Sequence, residues 1–256
     1  MSYIKSLNKV HFIGAGGISL SALAKLMLKW GKNVSGSDTS FSNNVIELME
    51  LGADIWIGSD PSAIKKVDLA VYSSAIREND NELSYCLANN IPIMERHIFL
   101  GLIAKEFYNT IAIGGTHGKT TCSAMLSYIM KESGKSFCGH IGGEVNDMGN
   151  LYYTGNRYFV TEACEYKKSL LSIPADIAVV LNAESDHPDT FSDLNDVYRT
   201  FDIFLTEQKN CLSLVCYDTD YYKNHFQSKF PGVLTFGTDI NSTFIINEIK
   251  EYKMGY

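Results

Sequence analysis

The chain has 256 residues, 45% of them hydrophobic and 20% charged, which is enough to bury the cores of two domains. Its formal net charge of −7 excludes the basic footprint that a nucleic-acid backbone demands. Its apolar runs are far shorter than the ~20 residues of a membrane-spanning helix, so neither nucleic acid nor membrane is expected as a partner.

Taken from the N-terminus, residues 9–13 read as a strand and 19–30 as a helix with Leu20, Leu23, Ala24, Met27 and Leu28 on its apolar side. A strand at 33–37, a helix at 45–51, strands at 54–57 and 68–73, a helix at 81–88 and a short strand at 91–94 follow. Such alternation predicts an α/β fold with a parallel sheet and helices on its faces. The junction falls near 106–109, giving predicted domains 1–106 and 107–256. The second series runs through a strand at 110–113, a helix at 119–131, strands near 158–162 and 176–182, a helix at 194–205, and strands at 212–216 and 233–236. Residues 244–249 read as one more strand, and the sequence then reaches Tyr256 with no closing helix, so the second domain reads as cut short.

The six cysteines (Cys86, Cys122, Cys138, Cys164, Cys211 and Cys216) contain no C-x-x-C pair and no zinc-like spacing. With nothing resembling a signal peptide ahead of them, they read as reduced thiols of a cytoplasmic protein.

Between the strand at 110–113 and the helix at 119–131 lies Gly114-Gly115-Thr116-His117-Gly118-Lys119-Thr120-Thr121. Its glycines let backbone amides turn toward phosphate oxygens, and the helix N-terminus adds positive dipole. Lys119 reaches the outer phosphates and the Thr120 hydroxyl can ligate magnesium, so the segment is a site for ATP with Mg2+. Its spacing departs from G-x-x-x-x-G-K-[ST], because Ile113 stands where the first glycine belongs. A second loop, Gly14-Ala15-Gly16-Gly17, follows the first strand, with Asp38 about twenty residues beyond. Position 19 is Ser, so G-x-G-x-x-G fails; the loop suits a diphosphate without specifying nicotinamide, and a tight turn without a ligand is the alternative.

Glu162-Ala163-Cys164-Glu165 ends one strand, and Asn182-Ala183-Glu184-Ser185-Asp186-His187 follows the next. Ligands collect at the carboxyl ends of parallel strands, which would bring these groups to the phosphate loop with Glu162 and His187 on magnesium. A carboxylate suits that hard cation and an imidazole suits it less. From the residues alone, Glu162 is equally an ordinary strand-end acid, and His187 a capping or hydrogen-bonding residue. Ser73-Ser74-Ala75-Ile76-Arg77 closes another strand, where the hydroxyls can bond a ligand or merely turn the chain. Trp30 and Trp56 read as packing residues, and His11 and His97 as structural.

Six segments occur in order: 11–19 (His-Phe-Ile-Gly-Ala-Gly-Gly-Ile-Ser), 35–38 (Ser-Gly-Ser-Asp), 73–76, 115–121, 161–165 (Thr-Glu-Ala-Cys-Glu), and Asn182 with Asp186-His187-Pro188-Asp189. Together they resemble the Mur ligase family, in its L-alanine-adding branch and in a form similar to that of clostridia. The resemblance implies a Rossmann-like N-terminal domain that binds the UDP part of UDP-N-acetylmuramate, followed by a P-loop ATPase-type α/β central domain. It implies that Gly14, Gly16 and Gly17 line the diphosphate site, with Ser37, Asp38, Ser73 and Ser74 close by. Gly115, Thr116, His117, Gly118, Lys119, Thr120 and Thr121 would hold ATP, with Lys119 catalytic and Thr120, Glu162 and His187 on magnesium. His117 and Asn182 match positions near substrate and phosphates. The implied reaction is ATP-dependent ligation of L-alanine through an acyl phosphate, in peptidoglycan precursor synthesis. Family members also have an Asn-rich adenine-binding segment and a C-terminal domain, so the central domain is expected to be incomplete here. Two rivals share parts of the pattern: a ligase that attaches a preformed peptide to UDP-muramate, and a noncatalytic UDP-sugar or nucleotide-binding module. A nicotinamide dehydrogenase leaves the second phosphate loop unexplained.

Overall fold

Short β-branched and aromatic runs build many of the strands, and side-chain caps start several of the helices that separate them. The computed structural model describes residues 2–208, 211–230 and 232–249. After a one-turn helix α1 (Tyr3–Ser6), the chain forms β1 (Lys9–Ile13), α2 (Ile18–Lys29), β2 (Asn33–Asp38), α3 (Asn43–Glu50) and β3 (Asp54–Ile57). Then come β4 (Leu69–Tyr72), α4 (Asn81–Ala88), β5 (Ile93–Glu95) and α5 (Arg96–Ala104). The Ser42 hydroxyl caps α3 and the Asp80 carboxylate caps α4, each accepting first-turn amides. The strands lie in the order β3-β2-β1-β4-β5, all parallel. Chain order reverses between β1 and β4, where Ile13 pairs with Tyr72. The turns that follow these two residues therefore leave the same carboxyl edge side by side, the place where open parallel sheets bind ligands.

The second series comprises β6 (Asn109–Gly114), α6 (Lys119–Glu132), β7 (Phe137–His140), β8 (Leu151–Tyr153), β9 (Tyr158–Ala163), β10 (Ile177–Val180) and α7 (Leu194–Thr206). β11 (Leu212–Cys216), β12 (Leu234–Gly237) and β13 (Phe244–Ile245) complete it. Its strand order is β13-β12-β11-β10-β6-β9-β7-β8, with β8 antiparallel to β7. The strand expected at 244–249 is paired only over Phe244–Ile245, where it joins β12. Positions 250–256 of the predicted second domain lie outside the described residues.

Packing divides the chain into two units, one of Met1–Thr110, Thr120–Glu162 and Ser172–Pro174, the other of Ile111–Lys119, Ala163–Leu171 and Ala175–Tyr256. Within the first, Lys25 is 3% exposed. Its ammonium meets the Glu47 carboxylate and lies 2.8 Å from Asn150 Oδ1. The Asn150 amide donates in turn to Ser21 Oγ and to the Ile18 carbonyl, both at 2.7 Å. A buried lysine is tolerated because a carboxylate and an amide oxygen receive its ammonium. All six cysteines are free. No helix among the described residues is long and apolar enough to cross a membrane.

Candidate functional site

The first glycine loop is shaped by the end of β2. Gly14 has φ +81, a conformation that favours glycine. The amides of Gly14 and Ala15 both donate to the Ser37 carbonyl, at 2.9 and 2.8 Å. Asp38 Oδ2 accepts the Gly16 amide at 2.8 Å, and Oδ1 accepts the Ser40 amide at 3.1 Å. A Cβ on Gly16 would stand 2.8 Å from Ser42 Oγ and 2.9 Å from Asp38 Oδ2. Gly17 caps α2 without any side-chain bond, so this helix opens on backbone alone, as a helix that receives an anion does.

Ser37 and the turn after β4 are placed differently from each other. The Ser37 hydroxyl points inward and donates to Glu82 Oε2. Glu82 is 1% exposed and also accepts Trp56 Nε1 at 2.9 Å and the Asp60 amide at 3.0 Å. Burial pushes the Glu82 pKa up, but the His11 ring 3.5 Å away and hydrogen bonds from Ser37, Trp56 and Asp60 outweigh it and hold the carboxyl below its usual range. Ser73 Oγ accepts the Ala75 amide at 3.3 Å, while Ser74 is exposed. A methyl of Ile76, in the same turn, would lie 3.4 Å from a Cβ on Gly14, so this turn folds over the glycine loop.

Past Lys119 the phosphate loop enters α6, in the first unit. There Glu162 Oε2 accepts the Thr120 hydroxyl at 3.1 Å. Glu162 Oε1 accepts Ser123 Oγ at 3.0 Å and the Gly142 amide at 2.7 Å. Ser123 lies one turn beyond Thr120 on the same helix face, a spacing the sequence displays but its reading passed over. The carboxylate is thus fixed by three donors, and with Thr120 it offers the oxygen ligands a hard divalent cation takes.

The loop itself, up to Lys119, belongs to the second unit. β6 and β10 are parallel with Gly114 opposite Val180, so their following segments leave the same edge. Gly115 (φ +144) and Gly118 (φ +82) turn the loop. Asn182 grips it from both sides: Oδ1 accepts the His117 amide at 2.8 Å and Nδ2 donates to the His117 carbonyl at 3.1 Å. Thr116 Oγ1 accepts the Glu184 amide at 2.9 Å, and the His117 ring lies 3.8 Å from Glu184 Oε2. The Lys119 ammonium donates to the Gly115 carbonyl, to the Thr116 carbonyl at 3.1 Å, and to Glu165 Oε2 at 2.9 Å. Their side chains are 16% and 2% exposed.

His187 sits in the same unit at φ +54, a backbone conformation uncommon outside glycine. Its Nε2 is 3.8 Å from Glu165 Oε1 and 3.7 Å from Asp186 Oδ2. Ligand atoms of Glu165, Asp186 and His187 all lie within 4.8 Å of one another, a grouping that could hold a metal ion. Two further positive-φ residues, Lys167 and Lys168, follow closely on Glu165. Glu165 is among the acids the sequence brings to this loop, but its pairing with Lys119 is not foreseen there; a buried carboxylate demands a cation.

Residues 9–108 match the Mur ligase family, catalytic domain, and residues 113–256 match the Mur ligase middle domain. The chain belongs to the Mur ligase family. This Mur ligase chain is 44% identical over 203 residues to the UDP-N-acetylmuramate--L-alanine ligase of Clostridium tetani (79% of this chain, 44% of that one). It is 40% identical over 250 residues to the ligase of the same name from Acetivibrio thermocellus (96% and 53%). It superposes on the UDP-N-acetylmuramate-alanine ligase of Thermotoga maritima with a TM-score of 0.79 at 27% identity, covering 90% of this chain and 52% of that one. A UDP-N-acetylmuramate:L-alanyl-gamma-D-glutamyl-meso-diaminopimelate ligase from Neisseria meningitides also gives 0.79 (90% and 78%), where 23% identity shows a shared fold alone. The Mur ligase chain spans about half the length of the curated relatives it matches.

Proposed function

We propose that this Mur ligase chain carries the substrate-binding and ATP-activating parts of a cytoplasmic UDP-N-acetylmuramate:L-alanine ligase, with residues 1–106 for the UDP substrate and 107–256 for ATP. The observation that carries the reading is the pairing of two unlike loops in one chain. One is a glycine turn at the switch point of a parallel sheet, clamped by Asp38; the other is a Lys119-Thr120 loop opening a helix. The names of the relatives at 40–44% identity support the choice of substrates.

In this reading the muramate carboxylate attacks the γ-phosphorus of ATP and ADP departs. The amine of L-alanine then attacks the resulting acyl phosphate, and inorganic phosphate leaves as the amide forms. Phosphorylation is needed because a bare carboxylate has no acceptable leaving group. Lys119 would steady the outer phosphates, with Glu165 aiming its ammonium. Thr120, Glu162 and His187 would hold magnesium, which when bound neutralises charge on the phosphates. Gly14, Gly16 and Gly17 would let the UDP diphosphate approach the backbone, and Asp38, Ser73 and Ser74 would border it. Asn182 would shape the phosphate loop through His117. The test is separate calorimetric titration of the chain with UDP-N-acetylmuramate and with ATP plus magnesium. Both are expected to bind, with Lys119→Ala losing ATP only; binding of neither overturns the reading.

A further inference from the structure

His140, the last residue of β7, is 3% exposed and belongs to neither nucleotide loop. Its ring stands between two hydroxyls: Nε2 is 2.9 Å from Ser19 Oγ, and Nδ1 is 2.9 Å from Thr161 Oγ1. Ser19 lies in the first turn of α2, just past the Gly14–Gly17 loop, and its oxygen accepts Arg96 Nη1 at 3.2 Å. Thr161 immediately precedes Glu162, and its hydroxyl reaches the Glu162 carbonyl at 3.4 Å.

Counting protons gives the chain a direction. Each hydroxyl has one proton to donate, and a guanidinium can only donate. With the Thr161 proton on the Glu162 carbonyl, its oxygen accepts from His140 Nδ1–H. The Nε2 of a neutral ring then carries the lone pair and accepts from Ser19, whose oxygen takes the Arg96 donor. Burial, and after it the Arg96 charge, draw the His140 pKa down to about 3, against a contact with the Ser19 backbone that raises it. The ring is therefore neutral near pH 7, as this arrangement requires.

We propose that His140 is a positioning residue that ties the Ser19–Arg96 contact beside the diphosphate loop to the strand end bearing Glu162, through the relay Arg96, Ser19, His140, Thr161. One buried ring would then set the groups that meet a nucleoside diphosphate and the groups that meet ATP with its cation. The inference rests on the reading that the first loop binds UDP and that Glu162 serves magnesium.

The two ends can be cut separately. His140→Asn keeps a donor at the δ position for Thr161 and loses the reach to Ser19. His140→Gln keeps a partner for Ser19 and loses Thr161. One lost hydrogen bond corresponds to about a three- to tenfold change in affinity. His140→Asn and Ser19→Ala are expected to weaken UDP binding by that factor and spare magnesium-ATP, whereas His140→Gln does the reverse. In the unaltered chain, long-range proton–nitrogen correlation of the histidine rings is expected to show the His140 proton on Nδ1, assigned through its shift in Ser19→Ala. A proton on Nε2, or variants that weaken both ligands alike, overturns the relay. If the unaltered chain binds no UDP, the substrate reading itself fails; if it binds UDP and His140→Asn does so equally well, only the relay fails.

Discussion

Lys119 Nζ lies 2.9 Å from Glu165 Oε2, so the lysine of the phosphate loop is aimed by a carboxylate with a 2% exposed side chain. A carboxylate buried to that degree is costly unless paired, and Lys119 is its cationic partner. Glu165→Gln keeps shape and removes charge. It is expected to lower unfolding stability by about 1–3 kcal/mol, somewhat less than a fully buried pair because Lys119 retains some solvent contact. At about 2–4 °C per kcal/mol for a chain of this size, calorimetry resolves the shift. An unchanged midpoint would show that Lys119 takes its position from the loop carbonyls alone.

Asn182 bonds both the amide and the carbonyl of His117 and so fixes the shape of the loop proposed to receive phosphate. Asn182→Ala is expected to weaken magnesium-ATP binding by about tenfold or more through the loss of these two bonds, with UDP binding unchanged. Asn182→Asp retains an acceptor for the His117 amide but sets a carboxylate against its carbonyl. An intermediate or larger loss follows for Asp; equal ATP affinity in all three proteins would refute the clamp.

The sequence displays the strand and helix alternation because strands such as β1 and β4 are short apolar runs and most helices carry a polar cap such as Ser42 or Asp80. Helix α5 is expected around His97 but without bounds, because Phe99, Leu100, Ile103 and Ala104 are all buried and no side chain caps its start, which blurs both periodicity and boundary. β7 and β8 are short, and all of β7 is buried, so no alternation marks it. Among the candidate site residues, the turns that need glycine were legible: Gly14, Gly115 and Gly118 all take positive φ. Partners set by distant folding were not. Nothing in the spacing of Ser37 and Glu82, or of Lys119 and Glu165, announces that each pair is bonded.

Glu82 makes stability depend on acid. Hydrogen bonds from Ser37, Trp56 and Asp60, with the His11 ring 3.5 Å away, hold its folded pKa below the unfolded value, outweighing burial. A carboxyl lowered in this way contributes its full stabilisation above the unfolded pKa, about 4.3, and loses it as pH falls through the folded value. The unfolding midpoint of the wild-type chain should therefore fall more steeply than that of Glu82→Gln as pH drops below about 4.3. Other carboxylates titrate alike in both proteins, so the difference between the two curves is the measurement. Parallel curves would mean that these neighbours leave Glu82 with no net preference for its charged form.

Gly16 and Gly115 separate the two proposed nucleotide sites. A methyl at Gly16 would stand 2.9 Å from Asp38 Oδ2, the oxygen that accepts the Gly16 amide, and 2.8 Å from Ser42 Oγ. Either the carboxylate or the loop must shift, so Gly16→Ala is expected to weaken UDP-N-acetylmuramate binding by about tenfold or more, a cost of 1.4 kcal/mol or above. Gly115 combines φ +144 with a would-be Cβ 3.1 Å from Leu181 Cβ and 3.3 Å from the Asn182 amide nitrogen. Alanine there is strained by its own backbone as well as by its neighbours, which costs on the order of 1–3 kcal/mol. Gly115→Ala should accordingly lose magnesium-ATP binding while keeping UDP binding, the mirror image of Gly16→Ala. Separate titrations read the pair directly: a substitution in the first loop that abolishes ATP binding while sparing UDP would reverse the proposed assignment of the two loops.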